Sequence, residues 1–163
     1  MAKTIFRADN CAFTKNPALI KSAKYLPADE ATAIENGQFV AIGGLVTGER
    51  EVHKATTPTA TSTYFGIVCT PELEYAENGY HGLDTYENEA DQVLRVGILT
   101  KGDIYSATLG GFDKAPVVDN LVELQADTKA KVVTTATADS TQVGKVIEIE
   151  TVGRFTFYVV EVQ

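Results

Sequence analysis

The sequence predicts a mainly β, single-domain protein: an antiparallel β-barrel or sandwich with long loops and an N-terminal arm. Three observations carry this prediction. Val, Ile, Thr, Tyr and Phe dominate the apolar stretches, and branched or aromatic side chains suit a pleated, half-buried surface. The apolar runs are short and punctuated by turn residues, with 13 Gly against 5 Pro, as strands joined by tight turns require. Finally, 163 residues, 44% hydrophobic and 22% charged, are enough for one well-buried core, short for two, and too apolar for a disordered chain.

Residues 1–24 hold Lys3, Arg7, Lys15, Lys21 and Lys24 against Asp9 alone, while the other 139 residues carry nine basic and 21 acidic groups. The chain therefore divides into a basic segment, 1–24, and an acidic β domain, 25–163. Such a segment can be a solvated tail, a first strand or a docking arm, and its five cations are the candidate contact residues. Within it, Asn16-Pro17-Ala18-Leu19-Ile20 places a capping side chain before a proline at the first helical position, which predicts one short helix.

The first hairpin starts at Gly37: residues 38–42 form an apolar run, Thr47-Gly48 turns, and 49–55 return with Val52 as the apolar residue. A polar loop, 56–63, leads to a strand over 64–69, which Pro71 ends because it has no N–H to donate. Residues 72–91 are acidic, contain Gly79 and Gly82, and read as a long surface excursion anchored by Tyr75, Tyr80 and Tyr86. In 93–99, Leu94, Val96 and Ile98 alternate with Arg95 and Gly97, the period of a strand with one buried face. Lys101-Gly102 turns and 104–109 run back, which predicts a second hairpin. Ile147 and Ile149 alternate with Glu148 and Glu150, Val152-Gly153 turns, and Phe155 to Val162 returns with apolar residues on both faces, as in a central strand. No period of 20 to 50 residues repeats, which disfavours a solenoid or propeller.

The chemistry of known sites is missing. Gly43 to Arg50 has two glycines at the phosphate-loop spacing, but Glu49 stands where a Lys should face the phosphates and Arg50 where Ser or Thr should follow. His53 and His81 lie near neither each other nor a cysteine in a metal-binding spacing, no Gly-x-Ser-x-Gly elbow is present, and the acids of 72–91 lack the calcium-loop alternation. Cys11 and Cys69 form no Cys-x-x-Cys pair and are expected as two free thiols. Lys101-Gly102-Asp103 resembles an adhesive tripeptide but is explained by its turn. The expectation is a non-enzyme with no cofactor and no metal. A formal net charge of -8 argues against nucleic acid as a partner. No apolar run is long enough to span a membrane, and the first residues have no secretory core, so synthesis in a cytoplasm is expected.

Three segments share a further likeness: Glu35-Asn36-Gly37-Gln38-Phe39-Val40-Ala41-Ile42, Phe65-Gly66-Ile67-Val68-Cys69-Thr70-Pro71-Glu72, and Leu94-Arg95-Val96-Gly97-Ile98-Leu99-Thr100-Lys101-Gly102-Asp103-Ile104-Tyr105-Ser106. Their order resembles that of the decoration, or cement, proteins of tailed-bacteriophage heads, over about residues 25–110. The resemblance implies a structural virion protein on the outer capsid surface, with the major capsid protein as partner and a homo-oligomer, such as a trimer, as its working state. It carries over no capsid-contact residues. The alternative expectation is a β-sandwich binding module that recognises a glycan or a cell-surface partner.

Overall fold

The computed structural model describes residues 2–73 and 82–163. The strands in chain order are β1 (Phe6–Asn10), β2 (Ile20–Tyr25), β3 (Phe39–Leu45), β4 (Val52–Thr56), β5 (Phe65–Val68), β6 (Leu94–Gly97), β7 (Ile104–Ala107), β8 (Leu121–Gln125), β9 (Asp127–Val133), β10 (Gln142–Val152) and β11 (Phe155–Val162). Short 3-10 turns at Ala12–Thr14, Pro17–Leu19, Pro27–Asp29 and Leu109–Gly111 are the only helical elements among the described residues. Strands β2-β4-β3-β5-β6 close into a barrel, and β1-β7-β11-β10-β8-β9 form an open six-stranded sheet. The mainly β expectation is met by a barrel packed on a sheet, which gives the molecule its sandwich-like layering.

Alternation along β3 and β5 explains how the two units join. Val40, Ile42 and Val68 belong to the barrel's own core with Ala23, Ala55, Leu94 and Val96. Phe39 and Ile67, on the opposite faces of the same strands, join Tyr105, Val122, Leu124, Val143 and Val160 of the sheet. The β3 and β5 wall is thus buried on both sides. Close approach here depends on missing side chains: a Cβ on Gly97 would lie 2.7 Å from the Phe13 ring, and one on Gly66 would lie 2.7 Å from the Gly97 carbonyl oxygen.

Strand pairing is antiparallel except between β2 and β4, which run parallel from Ser22↔Val52 to Tyr25↔Ala55. The reason is topological. β3 lies beyond β4 and returns antiparallel to it, so β2 reaches β4 only through a crossover.

Several sequence expectations are met closely. β3 and β4 form the first hairpin around Gly48, whose φ is +84°. β10 and β11 form the last around Gly153, and β11 lies between β7 and β10 as a central strand. The predicted short helix is the 3-10 turn Pro17–Leu19, capped by the Asn16 side chain, which accepts from the Ala18 N–H.

Two expectations are corrected. β6 and β7 do not pair with each other: β6 closes the barrel against β2, whereas β7 lies between β1 and β11 in the sheet. The Lys101-Gly102 turn is the joint between the layers, held by Asp103. That residue is 5% exposed, and its carboxylate accepts from Ala12 N–H, Thr100 N–H and Thr100 Oγ1. The basic segment 1–24 is also not a separate arm. It supplies β1 at one edge of the sheet and most of β2 in the barrel, because backbone groups at its start find partners across the molecule, as in the bond from Ile5 N–H to Thr108 Oγ1.

Candidate functional site

Each of the five basic residues proposed from the sequence takes its own environment, and they do not converge. Lys3 ion-pairs with Glu87 at 2.7 Å and Glu35 at 3.5 Å, and the Glu87 hydrogen bond holds its ammonium above the usual range. Arg7 binds Asp9 and Glu150 and lies over the Phe157 ring, 4.6 Å from its centroid. Lys24 pairs with Asp91 at 2.9 Å, which raises its pKa. Only Lys15, which is exposed, and Lys21, half-buried on β2, have no ion pair with a described residue. The positive surplus of the segment is therefore largely neutralised by acids of the body.

Lys3 does converge with three cations that the sequence did not mark, Lys114, Lys129 and Arg154. A cleft of about 610 Å³ opens between the start of β11, the turn after β7 and the β9 strand. Its floor is aromatic: Phe112 meets Tyr158 edge-on with ring centroids 5.6 Å apart, and Phe155 lies alongside. Around it stand Lys3, Lys114, Lys129 and Arg154, with Asp113 as the one lining acid among the described residues. The Arg154 guanidinium lies 4.9 Å from the Phe155 ring centroid and donates to Asp84 at 2.7 Å. Asp113 is already engaged, accepting from the Val132 N–H of β9 at 2.9 Å. The sequence signal was faint: Arg154-Phe155 beside Gly153 marks a hairpin tip, but nothing local shows that Lys114 and Lys129 come to meet it.

The remaining polar groups serve the fold. Asn36 and Asn88, both buried, knit the long loop to the barrel: the Asn88 amide donates to the Ile34 carbonyl and to Asn36 Oδ1, and the Asn36 amide donates to the Thr70 carbonyl. Asn88 lies in the predicted surface excursion, of which residues 74–81, with Tyr75, Tyr80 and His81, fall outside the described residues. His53 is half-buried on β4, its Nδ1 3.0 Å from the Gly43 carbonyl oxygen. Both thiols are free. Burial pushes Cys11 up to about 12 and Cys69 up to about 11, so at neutral pH they are protonated and weakly nucleophilic.

Among the described residues, no group of three or more His, Cys, Asp or Glu is placed to hold a metal ion, and no helix is long and apolar enough to cross a membrane. The Lys101-Gly102-Asp103 tripeptide presents no free acid, since Asp103 is buried in its own turn. The chain matches no protein-family model, no curated protein and no solved structure.

Proposed function

We propose that the protein is a structural, non-catalytic virion component that binds the outer surface of a tailed-phage capsid and stabilises the shell, with the major capsid protein as its partner. The observation that supports this reading is spatial. The three segments that resemble decoration proteins are scattered along the chain, yet they fold into β3, β5 and β6, consecutive neighbours in the barrel, and run on into β7. Most of the likeness thus falls on three adjacent barrel strands, with its last residues, Ile104 to Ser106, in β7 of the sheet. Repetition of a contact over many equivalent shell sites multiplies a modest affinity, and an acidic body with a net charge of -8 avoids loose DNA during assembly.

The test is to mix the purified protein with undecorated tailed-phage capsids and image them. Added density on the outer surface and greater heat resistance are expected. No binding at large protein excess overturns the reading and favours the module that recognises a glycan or cell-surface partner. Deleting residues 1–24 is a poor probe of the basic segment, because it removes β1 and most of β2. Lys15→Glu with Lys21→Glu is the better one, and weaker, less salt-sensitive capsid binding is its expected outcome.

A further inference from the structure

We propose that the cleft floored by Phe112, Phe155 and Tyr158 binds a carboxylate carried on an aromatic or apolar group, presented by an acidic peptide segment of a partner protein. The inference stands apart from the capsid reading. It rests on how the cleft divides its chemistry.

Four of the chain's 14 Lys and Arg line this one cleft, in a molecule whose acids outnumber its bases 22 to 14; Lys3 is spent on Glu87 and Glu35, which leaves Lys114, Lys129 and Arg154. Lys114 and Lys129 have no ion pair with any described residue, although acidic groups are abundant elsewhere. Arg154 is committed through a single Nη2 contact to Asp84, and its side chain remains 73% exposed. A guanidinium has five N–H donors in a planar fork that matches a carboxylate, so one face of Arg154 is held on Phe155 while donors remain for a ligand. The lining acid, Asp113, faces a backbone N–H of β9 and is spent there. Tyr158, 9% exposed, also lines the cleft.

The floor decides what else the ligand carries. Phe112 and Tyr158 are nearly buried and edge-on to each other, so the apolar surface open to a ligand is that of the half-buried Phe155 and of Leu109, from which an aromatic or aliphatic group gains by displacing water. The volume of about 610 Å³ lies within the range that encloses a small organic group rather than a bare ion. A long polyanion is disfavoured, since the acidic remainder of the surface repels it beyond the cleft. An acidic residue beside an aromatic one in an extended peptide meets both demands: the carboxylate reaches Arg154, Lys114 and Lys129, and the ring lies against Phe155 and Leu109.

The experiment titrates the full chain, uniformly labelled with nitrogen-15, with three probes: the blocked tripeptide acetyl-Glu-Phe-Asp-amide, its neutral counterpart acetyl-Gln-Phe-Asn-amide, and phenylacetate. The acidic tripeptide should give saturable amide shifts confined to residues 109–114, 129 and 154–158. Binding should weaken about tenfold or more when Lys114→Glu and Lys129→Glu are combined, with the thermal midpoint of the variant unchanged, and should weaken in about 0.5 M salt. Shifts scattered over the surface, equal binding of the neutral tripeptide, or no saturation by the acidic one up to about 10 mM would overturn the proposal. Tighter binding of phenylacetate than of the tripeptide would overturn the peptide as the source of the carboxylate.

Discussion

The barrel strands leave no unpaired edge, whereas the six-stranded sheet ends at β1 on one side and β9 on the other. Closure asks for close backbone approach, and the barrel meets that demand with Gly66 and Gly97, where any side chain would collide with Val96, Phe13 or the neighbouring backbone. The sheet instead protects its margins with polar groups. Phe112 bridges to Ala130 and the Asp113 carboxylate accepts from the Val132 N–H at the β9 margin, while β1 is broken by a register shift between Arg7 and Asn10 and flanked by the Arg7, Asp9 and Glu150 charges. Unpaired strand margins invite pairing with other chains, and charges and irregularities are the usual deterrents. The closed side should therefore suffer most from added or lost volume, and the open side from the loss of polar caps.

That contrast can be tested in order of effect. Phe39→Ala removes a ring that is 1% exposed and lies between the layers, and should cost about 4 kcal/mol in urea unfolding. Val40→Ala, confined to the barrel core, should cost about 2 kcal/mol. Both should shift one shared transition, and two separate transitions for Val40→Ala would show that the barrel unfolds alone. Gly97→Ala should cost about 2 kcal/mol through overpacking against Phe13, and Phe13→Leu in the same chain should recover part of it. Asp113→Ala leaves the Val132 N–H without its acceptor and should cost about 1 kcal/mol, with faster aggregation on light scattering as the sharper sign.

The thiols give the smallest effect near neutral pH. Because folding raises the Cys11 and Cys69 pKa values to about 12 and about 11, the unfolded thiols ionise first as pH rises above about 9. Their contribution to stability is thus fully present below that pH and is lost between it and the folded values. The urea midpoint should fall across this window, and the fall should be shallower in Cys11→Ala.

Much of the fold was legible because local signals agreed with it. The alternation of Leu94 and Val96, the glycine turns at Gly48 and Gly153, and the two-faced apolar pattern of β11 each report their own surroundings. The β6 and β7 segments misled because Lys101-Gly102-Asp103 is a tight turn in either case. Whether its flanks pair is decided by β1, β2 and β11, which are distant in sequence. The β8–β9 hairpin carries a misleading local signal: Glu123, fully buried on β8, accepts from the Thr137 N–H and lies 4.0 Å from Lys131, so a core position reads as polar. At the candidate site, the charge surplus of residues 1–24 was visible, but the acids that neutralise it, Glu35, Glu87, Asp91 and Glu150, arrive from three separate stretches of the chain. The cations of the cleft were illegible for the same reason.

The weaving of the first 25 residues into both layers has a temporal consequence. β1 and β2 are synthesised well before β7, which pairs with β1, and β6, which completes the pairing of β2, and the bond from Ile5 to Thr108 spans 103 residues. Contacts so distant in sequence make for slow folding. The nascent chain must carry β1 unpaired, and β2 paired at most with β4, until β6 and β7 have been synthesised, a period in which premature strand pairing competes with the native fold.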